Sequence, residues 1–484
     1  MAIFAPLGPR VNHGVLDDPT VRGVIAPAVI EGFARAAGHR WRRSYWSPYV
    51  TFLTFLLQVM DGAKTLRSAV ALRHIHTLAS GGTERSVGPR QREIARRLRP
   101  GGQAQAPAAL PSPDPSAYCQ ARKRLPFEVI RQALSALAER LWTPRAATAR
   151  WCGRRVWVVD GSSASMPDTP ELQAVFPQPA AQQRGCGFPI AQFVAVFCHA
   201  TGAIVDLTVD AQRPHELTLF RRLWSCFAPG DVVLGDRTYG AYTDMAQLLT
   251  CGVFSVFRLH QKRKVDFRKG LRLGRGDVVT VWSRPAQWRA SCGLRREEFE
   301  RLPARLPVRL VRITHAIKGF RSRTIVVATT LLDPVETPAD EIRALYRCRW
   351  TAELNLRSLK THLGMEVLRG KSVEVVAKEI AMHVLVYNLA RVAMWRVAQH
   401  AGCDPRALSL TGTLHRLRHA LPLLLLHAPP PSGVHDLLRY LVHALACDRL
   451  PYRPDRYEPR RVKHRAKPHD LLLNPRSWYH QRMK

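Results

Sequence analysis

Two aspartates stand where a short apolar run meets polar chain. Asp160 follows Val156-Trp157-Val158-Val159 in the string VVDGSS, and Asp236 lies just beyond Val232-Val233-Leu234 in VVLGDRTYG. If both runs are strands of one sheet, the two carboxylates come side by side at its edge, where they can bridge two divalent ions. Mg²⁺ suits such a site because it is a hard cation that prefers oxygen ligands and keeps waters able to act as nucleophile. Asp-Gly and Gly-Asp are also common turn pairs, so each aspartate taken alone reads first as a turn former that closes a strand.

A third element changes that balance. In YRCRWTAELNLRSLK the residues Tyr346, Arg349, Glu353 and Lys360 stand at offsets 0, 3, 7 and 14. On a regular helix of about 100° per residue they project at roughly 0°, 300°, 340° and 320°, within one sector of about 60°. The plain alternative is an exposed helix with an Arg-Glu pair four residues apart, in the weaker orientation and worth only about 0.2–0.5 kcal/mol. One carboxylate between two cations and a tyrosine is better explained by a metal and a phosphate. Glu353 would be the ligand, with Arg349 and Lys360 gripping backbone phosphates on either side.

The elements that must position these residues follow from hydrophobic patterning. Residues 1–145 read as a helical DNA-binding region with Tyr49, Phe52, Leu53, Phe55, Leu56 and Met60 as an apolar stripe, a Pro-, Gly- and Ala-rich linker at about 99–116, and a helical stretch from Ser116 to Trp142 whose Arg122, Lys123 and Arg124 fit either a DNA contact or a solvated basic face. Strand patterns then appear at Val156–Val159, Phe193–Cys198 and Ile204–Val209, followed by a helix from His215 to Phe227, the strand Val232–Leu234, a helix around Tyr242–Leu249 and the strand Phe254–Leu259. That order is the one found in an RNase H-like mixed sheet. The expected fold class is therefore α/β: an RNase H-like catalytic core over 150–260 and 325–400, a β-rich insertion at 261–324, and flanking α-helical N- and C-terminal regions, the latter spanning 401–484 and ending in a basic tail.

With these motifs in hand, the sequence resembles the DDE transposases of cut-and-paste bacterial insertion sequences, the IS-four type group with the Tyr-Arg-Glu-Lys signature. The likeness runs from about Arg155 to Lys360 and departs at Thr238, where many relatives carry glycine. It implies that Asp160, Asp236 and Glu353 are catalytic and hold two Mg²⁺ ions, with Mn²⁺ able to substitute. It also implies end nicking, a hairpin intermediate and strand transfer at inverted-repeat ends, by a homodimer on double-stranded transposon and target DNA. Tyr346, Arg349, Lys360 and Arg237 would contact DNA, and Trp282 or Trp288 from the insertion would stack on a flipped base. His199 reads as structural and His215 as a helix cap. Ser162 and Ser163 lack a general base at a recognisable spacing, which argues against serine catalysis.

Charge agrees with a polyanionic partner. Lys and Arg number 73 against 37 Asp and Glu, a formal net charge of +36, which a chain tolerates most easily when its working partner is nucleic acid. Eight of the basic residues and one acid fall between Arg258 and Arg275, and the last stretch, Tyr452–Lys484, carries ten basic and three acidic residues. An Arg-rich proteome supplies part of this excess. No run reaches the roughly 18 apolar residues of a spanning helix, and no signal pattern opens the chain, so a cytoplasmic, nucleoid-associated bacterial protein is expected. The ten cysteines form no C-x-x-C pair. Two other functions fit the same residues: an RNase H-like nuclease or resolvase without strand transfer, and a DNA-binding protein that has lost catalysis.

Overall fold

The computed structural model describes residues 24–41, 44–79, 113–142, 150–211, 216–263, 265–315, 323–425, 432–450 and 474–482. The chain divides into two compact units. One comprises residues 1–143, 361–365 and 372–451, the other residues 144–360, 366–371 and 452–484. The linker expected at about 99–116, His215 and nearly all of the basic tail fall mostly or wholly outside the described residues.

The first unit is helical. Its described helices are α1 (Pro27–Ala36), α2 (Pro48–Met60), α3 (Leu66–Ala79), α4 (Ser116–Arg124), α5 (Phe127–Trp142), then α12 (Val373–Ala401), α13 (Leu410–Leu425) and α14 (Ser432–Cys447). Ser47 caps α2 by accepting from the Val50 amide, and Pro48 supplies the first-turn backbone angle. The expected apolar stripe on α2 is a helix buried almost all round, including Thr51, Thr54 and Gln58. Gln58 accepts from the Tyr118 hydroxyl at 2.8 Å, so its amide is satisfied within the core. The helical stretch from Ser116 to Trp142 is two helices, because Pro126 interrupts the hydrogen-bond ladder. Arg122 is no candidate DNA contact: it is buried, with its guanidinium 5.0 Å over the Phe55 ring. Lys123 and Arg124 are exposed.

The second unit is built on one nine-stranded mixed sheet, with strands β1 (Val156–Ser165), β2 (Ile190–Cys198), β3 (Ile204–Ala211), β4 (Val232–Gly235), β5 (Phe254–Arg258), β6 (Leu271–Gly274), β7 (Asp277–Ser283), β8 (Arg305–His315) and β9 (Arg323–Thr329). Its order is β3-β2-β1-β4-β5-β9-β8-β7-β6. The first five strands, antiparallel across β3-β2-β1 and parallel across β1-β4-β5, form an RNase H-like core. Helices α6 (Pro170–Val175), α7 (Glu216–Arg222), α8 (Tyr242–Thr250), α9 (Arg296–Glu300), α10 (Ala339–Arg347), α11 (Trp350–Arg357) and α15 (Arg476–Arg482) complete the unit.

Strand β9 pairs antiparallel with β5 through Val256–Thr329, Phe257–Ala328 and Arg258–Val327, so β6 to β8, within the β-rich insertion expected at 261–324, continue the core sheet outward. Helix α12, within the 325–400 segment expected for the core, groups with the helical unit. Twenty-nine residues with buried positions on every side make α12 an interior helix, which its apolar periodicity alone does not assign to either unit. Among the described residues, no helix is long and apolar enough to cross a membrane.

Candidate active site

The decisive register is that of two parallel strands. Val156, Trp157 and Val158 of β1 pair with Val232, Val233 and Leu234 of β4. Asp160 lies two residues beyond Val158 and Asp236 two beyond Leu234, so equal offsets bring both carboxylates to the same level. Side chains two apart share a face of a strand, so Asp160 leaves the sheet on the same side as Val158, and the charge of Asp236 acts on it from just past β4. Asp160 does not close its strand. Strand β1 runs on to Ser165, and Asp160 opposes Ala195 of β2. The turn-former reading therefore fails for Asp160, while Asp236 does stand one residue past its strand.

The turn after β4 answers the departure at Thr238. The Thr238 amide donates to Asp236 Oδ1 at 2.6 Å, closing a turn through the aspartate side chain. Thr238 keeps a negative φ, so no glycine is required there. Tyr239 follows, fully buried with its ring 4.9 Å from Phe220.

The glutamate helix is less regular than its spacing predicts. Residues 346–360 are not one helix: α10 ends at Arg347, the next turn is wound by three-residue bonds such as Arg349 N–H to Tyr346 O at 3.1 Å, and after α11 the chain makes a π turn at Ser358–His362. The face still assembles in part. Helix α11 packs against β1. Arg349, with its side chain only 11% exposed, donates to Glu353 Oε1 at 3.1 Å, and its charge also acts on Tyr346 and Asp160. The Arg-Glu pair set aside as the plain alternative is thus present, within the larger cluster. Lys360 sits in the π turn, its ammonium 4.0 Å from Glu366. Tyr346 is buried, which pushes its hydroxyl up to about 12.

Asp160 bears the electrostatic cost of the arrangement. Burial is the main cause that pushes its carboxyl up to about 7; the charges of Glu216 and Asp236 add to the rise, while Arg349 and the Gly161 amide oppose it. Several anionic oxygens held against one arginine are the donor set of a hard divalent cation. Among the described residues, no three His, Cys, Asp or Glu side chains converge tightly enough to share a single ion. Asp160, with the charge of Asp236 acting on it, and Glu353, paired with Arg349, carry oxygen donors of that kind.

The raised Asp160 value sets a sign for stability. Without divalent cation, the folded protein holds this proton from about pH 4 to about pH 7 whereas an unfolded chain releases it near pH 4, so stability falls as pH rises through that window. Asp160→Asn removes the titration. In EDTA, thermal melts are expected to show the variant gaining more on wild type at pH 8 than at pH 5, by about 2–4 °C; an equal difference at both values would refute the assignment.

Three further expected site residues have defined surroundings. Arg237 is exposed and donates to Gln261 Oε1 at 2.9 Å, turned along the surface. Trp282 on β7 is covered by the Arg263 guanidinium at 4.0 Å from its ring. Trp288 is 39% exposed and donates from Nε1 to Leu294 O at 2.9 Å. Of the Arg258–Arg275 cluster, Lys262, Arg268, Lys269, Arg272 and Arg275 are exposed. The sequence reading overlooked Glu216, the first residue of α7, whose charge reaches Asp160. Its position at the start of the helix that follows β3, in RPHELTLF, was the available signal.

Residues 151–389, which include all three carboxylates and the whole signature, match the transposase DDE domain family. The chain belongs with the DDE transposases of the IS4 type. This transposase is 27% identical over 369 residues to "Transposase InsG for insertion sequence element IS4" of Escherichia coli (strain K12), covering 74% of this chain and 78% of that one. A piggyBac transposase synaptic complex with hairpin DNA aligns with a TM-score of 0.42 at 8% identity, over 90% of this chain and 85% of that chain.

Proposed function

We propose that this transposase moves an insertion sequence by cut-and-paste, nicking the DNA at paired inverted-repeat ends and joining the freed 3′ ends to target DNA. The observation that carries this reading is the equal offset of Asp160 and Asp236 beyond paired residues of β1 and β4, with the Glu353 helix packed on the same strand. Asp160, Asp236 and Glu353 would hold Mg²⁺, or Mn²⁺ in its place. Bound there, the ions would supply an activated water or 3′ hydroxyl and a stabilised leaving oxygen for in-line displacement.

The chain's own residues do the rest. Arg349 neutralises part of the carboxylate cluster and is placed to exchange Glu353 for a phosphate oxygen when DNA arrives. Lys360 lies further along the same segment and would steady a neighbouring phosphate. The exposed bases between Arg258 and Arg275 would carry the flanking duplex. In this reading the ends are cut through a hairpin, within a homodimer, and Trp282 or Trp288 would stack on the flipped base. For Trp282 that requires its Arg263 cover to swing aside or to sandwich the base.

The test uses the full chain and the DNA that flanks its gene, where imperfect inverted repeats within a short direct duplication are expected. With Mg²⁺, end duplexes should yield nicks, hairpins and joined products. Nicks alone would assign a nuclease or resolvase, and binding without cleavage an inactive DNA-binding protein.

A further inference from the structure

We infer that Glu216 is a positioning residue of this catalytic site, a tether that fixes the spacing between the strand carrying Asp160 and the turn carrying Asp236. The inference rests on the functional reading above and assigns the site a fourth carboxylate.

Two contacts define the tether. On one side, Glu216 Oε1 accepts a hydrogen bond from the Tyr239 hydroxyl. Tyr239 is three residues beyond Asp236, fully buried between Phe220 and Phe257, so its hydroxyl has little freedom. On the other side, Glu216 lies over Gly161, the neighbour of Asp160. A Cβ built at Gly161 would stand 2.5 Å from Glu216 Oε1 and 2.7 Å from its carboxyl carbon, closer than side-chain atoms pack. Gly161 keeps a negative φ. At the glycine of VVDGSS it is thus the Glu216 carboxylate, and not backbone conformation, that a larger residue would have to displace. One side chain thus touches both carboxylate-bearing segments, which are separated by 70-odd residues of chain.

The chemistry argues against mere packing. A third negative charge beside the partly buried Asp160 costs stability, and burial of the Tyr239 hydroxyl needs only an acceptor, which a neutral side chain supplies equally well. Carboxylates that hold a metal site's ligands in place without binding the ion contribute about 10–100-fold to affinity or activity.

The experiment compares Glu216→Ala, Tyr239→Phe, Gly161→Ala and the double variant Glu216→Ala/Tyr239→Phe with wild type, in the full chain. The readouts are Mn²⁺ affinity by titration calorimetry, end-DNA cleavage and thermal stability. Each single variant is expected to weaken Mn²⁺ binding and cleavage by about 10–100-fold, and the double variant to be no worse than the more impaired single one, because both break one tether. Glu216→Gln keeps the acceptor and should retain cleavage within a few-fold of wild type. Altered melting temperatures with Mn²⁺ affinity and cleavage unchanged would overturn the inference, as would additive losses in the double variant. If Asp236→Asn and Glu353→Gln leave cleavage intact, the functional reading itself falls, a result separable from failure of the Glu216 variants alone.

Discussion

Asp236→Asn in the full chain is expected to reduce end-DNA cleavage by on the order of 10³-fold while DNA affinity stays within about threefold. The change keeps the side-chain shape and the acceptor oxygen that closes the turn onto the Thr238 amide. What it removes is a carboxylate that stands just past β4, at the same two-residue offset as Asp160 from the paired strands, and whose charge acts on Asp160. Transition-state charge stabilisation at such a site is worth several kcal/mol, and each ~1.4 kcal/mol is about tenfold in rate. Binding is carried by phosphate contacts spread over exposed Lys and Arg, so it should be spared, or improve slightly as an anion is lost near the backbone. Glu353→Gln should lose cleavage similarly. It also weakens the hold on Arg349, which shares its charge among Glu353, Tyr346 and Asp160. Gel-shift and cleavage assays on the same duplex decide the matter. A loss of binding that matches the loss of cleavage would assign these carboxylates to folding.

Arg309→Met should produce the largest loss of stability, about 3–5 kcal/mol, because it leaves Asp277 as an uncompensated buried charge. Arg309 has no exposed surface. It pairs with Asp277 through Nε to Oδ1 at 2.8 Å and Nη2 to Oδ2 at 2.6 Å, and donates from Nη1 to Thr337 O at 2.7 Å. The pair joins β7 to β8 and fixes the chain just before α10, which leads to Tyr346, Arg349 and Glu353. A melting temperature lower by roughly 10 °C is expected, taking about 2–4 °C per kcal/mol. The apolar double variant Arg309→Met/Asp277→Leu should recover much of the loss, since no charge is then stranded. No recovery would locate the role of Arg309 in its carbonyl contacts instead.

These two cases differ in how far sequence could reach them. The apolar runs before Asp160 and Asp236 announce strands, and VVLGDRTYG announces the turn, because both are local patterns that a few residues decide. The signature from Tyr346 to Lys360 is also local, yet ideal helical spacing overstated its regularity. The chain breaks at Cys348 and Arg349 and again in the π turn, where the Lys360 ammonium stands 4.0 Å from Glu366. Arg122 shows the reverse error. A basic run suggests a solvated face, but the aromatic ring and glutamine that accept its guanidinium come from α2, more than 60 residues earlier.

The sequence by itself determined the acids, the cations and the order of strands and helices around them, since side-chain alternation, turn chemistry and helical periodicity act over a few residues. Tertiary structure decided which strands are neighbours. Pairing β1 with β4 set two aspartates level, and pairing β5 with β9 made the insertion an extension of the core sheet. The packing of α7 brought Glu216 between Tyr239 and Gly161. Each of these rests on contacts between distant segments, whose free energy comes from burial and complementary hydrogen bonding across the fold and leaves no periodic trace in either segment alone.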